Sequence, residues 1–432
     1  MAAPITGSGT AGGASAGGST RIVLLLAFAV FFLLGGVTNI NDLLVGKFKP
    51  MFQLSHAQAN LVQMAFFIAY AAFSIPAGIV MSKLGYIRTF VLGFVMIAAA
   101  AFLFIPASAA ASYPGFLAAL FFIGAGITVL QVAMNPVITT LGPVETSHSR
   151  LTFAQAFNSI GVTLMVYGGA KVLLGDSKPI DVASATADQL QAYRVEQGAS
   201  IGQAYMWLAI LMLAIAALFW VFRSALDHAK AEEAKIEGTL GLFLHNKRVQ
   251  FGSLCIFAYV GAEVAIGSNM IAYLGEQRVM GLDLESAGKL VAFYWGGAMI
   301  GRLVGGFILR AFRPGKVLTA YAAGAIALIA LSAVGSGALA GWALILVGFC
   351  NSLMFPTIFS LGTEGLGEQT PQGSGIMCTA IVGGAIVPWL FGTVADLSSM
   401  HVALAVPVIC YAIIASFGRW AASHPSAAGA VD

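Results

Sequence analysis

The sequence predicts an all-α membrane protein of twelve transmembrane helices, arranged as two pseudo-symmetric six-helix bundles. Three observations carry that prediction. The 432 residues are 59% hydrophobic and only 9% charged, against about 25% charged in soluble domains. Apolar runs of the roughly 20 residues needed to cross a bilayer recur along the whole chain. The runs fall six on each side of one charged segment, and the pattern P-x-I-x-x-L-G occurs at the equivalent place in each half, at 136–142 and 356–362.

Residues 1–20, MAAPITGSGTAGGASAGGST, are rich in Gly, Ala, Ser and Thr and read as a disordered tail. They lack the basic region and small-residue cleavage site of a secretory signal, so the run from Ile22 is expected to be retained. The N-terminal bundle is expected over 21–224, with spans at 21–46, 57–82, 87–109, 113–141, 150–174 and 199–224. Segment 225–247, ALDHAKAEEAKIEGTLGLFLHNK, is charged and links the bundles. The C-terminal bundle follows over 248–423, with spans at 248–275, 285–311, 316–338, 340–364, 373–395 and 399–422, then a short tail at 424–432. A second echo supports duplication: Gly78 and Arg88 after span two match Gly306 and Lys316 after span eight. Two repeated six-helix halves are the pattern of a transporter with its site between them, near mid-bilayer.

Basic residues set the orientation. Lys83, Arg88, Arg150, Lys230, Lys247, Arg248, Arg313 and Lys316 lie on the side of the termini, whereas the opposite loops hold only Lys47, Lys49, Lys178, Arg194, Arg278 and Lys289. Both termini are therefore expected in the cytoplasm. A net charge of +3 without a basic run excludes nucleic acid as a partner. Cys255, Cys350, Cys378 and Cys410 all lie in apolar runs and read as packing residues. The histidines fall in loops or the C-terminal tail, and no metal-ligand pair, nucleophile elbow or P-loop occurs, so enzymatic chemistry and direct coupling to ATP are not expected.

Polar residues inside the runs are the informative ones. Span one carries Thr38, Asn39, Asn41 and Asp42 after a long stretch of pure hydrocarbon. A carboxylate within a membrane helix costs roughly 2.5–3.5 kcal/mol or more, so it faces a cavity on an ion or substrate path, or snorkels to water from a helix end. The position of Asp42 admits both. Gln63 lies in span two, Gln131 and Asn135 in span four, Gln155 and Asn158 in span five. Spacings of three or four put each pair on one helix face. Amides both donate to and accept from hydroxyls, so amides at one depth suit a polyhydroxyl ligand. Taken singly, each serves equally well as interhelical glue worth about 0.6 kcal/mol.

The second half offers a different set. Glu263 sits near mid-membrane in span seven, either as a functional carboxyl or as a structural one bonded to Asn269 or to the opposite half. Trp295 in span eight and Trp389 in span eleven have faces that suit sugar C–H surfaces, and suit packing or interface anchoring as well. Asn351 lies in span ten. Arg302, inside span eight, is expected to pair with a carbonyl or carboxylate, and Lys171 to snorkel from the end of span five.

Several long stretches, in order, resemble the major facilitator superfamily, and within it the fucose–galactose–glucose symporters. They are TNINDLLVGKF, QANLVQMAFFIAY, IPAGIVMSKLGY, VLQVAMNP, TLGP, RLTFAQAFNSIG, YVGAEVAIGS and FPTIFSLGTEGLG, covering about residues 25 to 420. The resemblance places Asn39 and Asp42 on sugar-binding and proton-coupling residues, and Gln155 and Asn158 on polar cavity residues. The L-fucose branch carries a second carboxylate in span four where this chain has Leu130-Gln131-Val132, which together with Glu263 resembles the glucose/galactose branch.

The resemblance implies a monomeric hexose importer of the bacterial inner membrane, driven by symport with a proton or sodium ion, with glucose or galactose as cargo and no cofactor. An N-acetylglucosamine or mannose symporter, or an uncoupled facilitator, stays open. Asp42 and Glu263 are then the cation-coupling residues. Asn39, Gln63, Gln131, Asn135, Gln155, Asn158 and Asn351 bind the sugar, with Trp295 and Trp389 bounding it. Lys83, Gly85 and Arg88 form a cytoplasmic lock in which Ser82 replaces the family's usual acidic residue, and Arg302 is structural.

Overall fold

A computed structural model describes residues 26, 28–140, 147–174, 185–221, 223, 239–366 and 369–424. The tail at 1–20, most of the linker at 225–247 and most of the tail at 424–432 lie outside them. Among the described residues all regular structure is helical, and ten helices are long and apolar enough to cross a membrane. In the N-terminal half these are α1 (Phe28–Phe52), α3 (Tyr86–Ala109), α4 (Tyr113–Met134), α5 (Ala154–Leu174) and α6 (Ala187–Val221). In the C-terminal half they are α7 (Lys247–Gly275), α9 (Pro314–Val334), α10 (Gly337–Thr363), α11 (Gly375–Leu397) and α12 (Met400–Ser423). The two remaining expected spans are helical too, as α2 (Leu61–Leu84) and α8 (Leu284–Ala311).

Side chains fix several helix starts. The Asn246 side-chain Oδ1 accepts from Arg248 N and Val249 N at the start of α7, and the Asp283 side chain accepts from Ser286 N at the start of α8. These hydrogen bonds hold the Asp283 carboxyl below its ordinary range. Ser55 and Gln58 form a reciprocal capping box on a short helix, His56–Ala59, between α1 and α2.

Two helices run further than the apolar pattern predicts. α1 continues to Phe52, past the expected end at 46, so Lys47 lies inside a helix and not in a loop. Its side chain is 2% exposed, and Nζ donates to Gln197 Oε1 of α6 at 2.7 Å. α6 begins at Ala187, and its Arg194 donates from Nε to Met51 O at 3.2 Å. Partners on neighbouring helices allow these cations to leave the loops to which hydropathy assigned them. Lys171 is exposed at the end of α5.

Backbone contacts repeat between the halves. A methyl group added at Gly161 of α5 would collide with the Phe32 carbonyl of α1, and one at Gly383 of α11 with the Phe257 carbonyl of α7. Gly124 of α4 lies in the same way on the Phe66 carbonyl of α2, and Gly348 of α10 on the Tyr294 carbonyl of α8. The same helix pairs thus meet backbone to backbone in each bundle, as small residues permit in lipid.

The bundles meet through α1 and α7, α2 and α11, and α5 and α8. Gly46 lies against Ile271, Gly384 against the Phe67 ring, and Gly288 against Leu174 and Ala170. The end carrying the α1–α2 and α7–α8 connections is tied by polar bonds. Both Asp396 carboxylate oxygens accept main-chain N–H groups, from His56 at 2.7 Å and Ala57 at 2.8 Å. Asn60 and Asn269 exchange amide hydrogen bonds at 2.9 and 3.1 Å.

Candidate functional site

α1 carries a turn at Ile40, whose carbonyl accepts from both Leu43 N and Leu44 N, and Asp42 stands in the first turn of the segment Asn41–Phe52 that follows. Asp42 does not snorkel: it is 2% exposed. Its Oδ1 accepts from Gln63 Nε2 at 3.0 Å and Ser268 Oγ at 2.8 Å, and its Oδ2 accepts from Trp295 Nε1 at 3.0 Å. Gln63 Nε2 also donates to Ser268 Oγ at 2.7 Å. One residue of the N-terminal bundle and two of the C-terminal bundle therefore close around one carboxylate. Gly267 completes the fit, since a Cβ there would stand 3.3 Å from Asp42 Oδ2.

Glu263 lies one turn from Gly267 on the same face of α7. Its Oε1 accepts from Tyr259 Oη at 2.6 Å, and its backbone carbonyl accepts from Tyr294 Oη at 2.9 Å. The expected bond to Asn269 or to the opposite bundle does not form, because Asn269 is committed to Asn60 and Tyr259 is closer at hand on the same helix. Asn351 is fully buried. Its Oδ1 accepts from Tyr411 Oη and its Nδ2 donates to Tyr294 Oη, each at 2.7 Å. Each amide atom thus bonds a tyrosine of its own bundle, where a direct sugar contact was expected of Asn351.

The N-terminal amides divide. Asn39 donates to Gly35 O at 3.1 Å and Asn158 to Phe31 O at 3.0 Å, so both spend a donor on α1. Gln131 and Gln155 are half-buried, and their side chains form no hydrogen bond among the described residues. The Asn135 side chain lies outside the described residues, as does that of Ser82. Arg302 donates to the Ser159 hydroxyl of α5, a neutral partner in the opposite bundle where a carbonyl or carboxylate was expected. Its charge also acts on Glu263. Trp295 is buried against Asp42, whereas Trp389 is 39% exposed on the face of α11 shared with Ile386 and Leu390. Lys83 and Arg88 are exposed on either side of Gly85, whose φ of 78° suits glycine at the turn from α2 to α3.

Sequence reasoning missed Ser268, Tyr259, Asn60 and Asp396. Tyr259 was within reach of it, since it stands four residues before Glu263 on one helix face. The other three act across the bundle boundary, and nothing local marks them. Thr38 Oγ1 and both amide atoms of Asn41 are buried without a partner among the described residues. Outside the spans, burial and then the Lys49 charge push the His56 imidazole down to about 4.

The Major Facilitator Superfamily model matches residues 22–388. A glucose/galactose transporter of Brucella abortus biovar 1 is 41% identical over 389 residues, 90% of this chain and 91% of that protein. The L-fucose-proton symporter of Escherichia coli K12 is 35% identical over 412 residues, 92% of this chain and 93% of that protein. Among solved structures, the transporter FucP in its outward conformation matches with a TM-score of 0.71 at 34% identity, covering 93% of this chain and 99% of that one.

Proposed function

The chain belongs to the Major Facilitator Superfamily, and on that premise we propose that it imports a hexose, glucose or galactose, by symport with a proton through alternating access of its two bundles. The observation that carries this reading is the carboxylate of Asp42, buried at the bundle interface with two of its three donors, Ser268 and Trp295, belonging to the opposite bundle. When the bundles part, those donors leave. The proton affinity of Asp42 then differs between the closed and the open interface, which is what coupling requires.

A proton suits this shell better than sodium. A hard cation takes oxygen ligands, but the atoms on Asp42 are two N–H groups and one hydroxyl. The half-buried amides of Gln131 and Gln155 offer donors and acceptors to sugar hydroxyls, Asn39, Gln63, Asn135 and Asn158 complete the proposed set, and the buried Trp295 ring is its apolar wall. The similarity to glucose/galactose transporters supports hexose as the cargo.

The importer is a monomer of the bacterial inner membrane, with bundles at 21–224 and 248–423, a cytoplasmic linker at 225–247 and both termini in the cytoplasm. In that orientation the end tied by Asp396 and by Asn60–Asn269 faces the periplasm, so this conformation is closed on the outside. Lys83, Gly85 and Arg88 then sit at the cytoplasmic end, where they lock the opposite state.

Uptake of labelled glucose and galactose into proteoliposomes tests the proposal. An inward proton gradient accelerates uptake, and a sodium gradient of the same size does not. Saturable uptake indifferent to both gradients would leave a facilitator, and the symport reading would fall.

A further inference from the structure

Asp42 and Glu263 are both buried carboxyls near the bundle interface, but their surroundings differ in one respect. The donors of Asp42 come from both bundles. Among the described residues the hydrogen-bond partners of Glu263 all belong to the C-terminal bundle: Tyr259 on its Oε1 and Tyr294 on its backbone carbonyl, with Asn351 behind them. Asn351 is the centre of this set. Its backbone carbonyl accepts from Tyr259 at 3.1 Å, its amide donates to Tyr294, and Tyr411 donates to it from α12. Tyr259, Tyr294 and Tyr411 are each at most 1% exposed, so the set moves as part of its bundle.

A rocking motion that separates the bundles leaves these hydrogen bonds unchanged. Hydrogen bonds that persist in both states do not themselves couple a proton to the conformational change, whereas the donors of Asp42 are exchanged by it. Constant geometry is instead what recognition needs. Glu263 Oε1 is pinned by Tyr259, and Oε2 has no hydrogen-bond partner among the described residues. The residue stands one turn from the Gly267 contact with Asp42, on the face of α7 turned to the opposite bundle. A carboxylate oxygen with free lone pairs there accepts a hydroxyl hydrogen.

We propose that Glu263 is a specificity-determining residue that accepts a hydrogen bond from one sugar hydroxyl through Oε2, and that Tyr259 and Asn351 are positioning residues that hold it. This rests on the hexose reading above and reassigns Glu263 from ion coupling to sugar recognition.

The test uses the full chain in proteoliposomes, with D-glucose and D-galactose as probes, and compares counterflow exchange without a gradient with accumulation driven by a proton gradient. Glu263→Gln and Tyr259→Phe are expected to raise the sugar KM in counterflow by about ten-fold or more, with the proton-to-sugar ratio unchanged. Among monodeoxy glucoses, the one lacking the recognised hydroxyl is expected to be discriminated by the unmodified protein and not by Glu263→Gln. Counterflow KM unchanged while accumulation is lost makes Glu263 a coupling residue and overturns the proposal. A lower maximal rate at unchanged KM makes it merely structural, and overturns it equally. If Glu263→Gln is not recovered folded, Tyr259→Phe, which removes a single oxygen, decides the matter. Absence of hexose exchange by the unmodified protein would instead remove the functional reading itself.

Discussion

The indole of Trp295 donates to the carboxylate of Asp42 at 3.0 Å, joining α8 of one bundle to α1 of the other. The bond exists only while the bundles are together at this level. Closure is therefore sensed at the residue to which we assign the proton. Asp42→Asn is expected to abolish accumulation under a proton gradient while sugar counterflow persists. Trp295→Phe keeps an aromatic ring and removes the donor, which costs about 1.5–3 kcal/mol for a bond to a charged group. It is expected to slow gradient-driven uptake about ten-fold or more, and uptake at the normal rate would remove Trp295 from the coupling shell.

The tie between Asp396 and the short helix His56–Ala59 predicts a measurable loosening. An amide at position 396 keeps one acceptor oxygen of two and carries no charge. In Asp396→Asn, amide exchange across 53–60 should accelerate about ten-fold, in line with the loss of a charge-assisted bond. Unchanged protection in hydrogen-exchange mass spectrometry would mean that packing, and not this carboxylate, holds the end shut.

The glycine contacts predict an asymmetry between two neighbours on α5. Gly161→Leu drives a side chain into the Phe32 backbone, which has no rotamer with which to yield, and the folded yield should collapse. Gly168→Leu meets nothing within 4 Å and should be tolerated. Comparable monodisperse yields of the two variants in detergent would contradict the packing described.

His56 predicts a pH effect on stability. Its folded value of about 4 lies below the ordinary 6.5. Between those values the unfolded chain binds more protons than the folded one, so acidification from 6.5 toward 4 destabilises the native state. His56→Gln removes that contribution, and its unfolding temperature should fall less than that of the unmodified protein between pH 6.5 and pH 4.5. Identical slopes would show that His56 is not held neutral.

The fold was legible because hydropathy reports directly on bilayer spans, and the halves kept a shared pattern around Pro136 and Pro356. Asp42 was legible for the same reason: a carboxylate in hydrocarbon is costly enough to stand out. Its partners were not. Ser268 and Trp295 reach it only through the register between bundles, which side-chain packing sets and no local pattern records. Lys47 shows the opposite failure. Hydropathy marks a cation as the end of a span, yet Gln197 on another helix lets the charge sit well inside one. Asn351 reads as a ligand contact because an isolated membrane amide looks available, and only the positions of Tyr294 and Tyr411 show that each of its amide atoms bonds a tyrosine.

The bond of Asp396 to His56 and Ala57 has an unequal genetic exposure. On one side it depends on a single side chain, and on the other it is made of main-chain N–H groups that every residue but proline possesses. Variation at 56 and 57, short of proline, leaves the fastening in place. Variation at 396 cannot be compensated from the other side. A mutational scan of this outer end should therefore find one intolerant column facing two permissive ones.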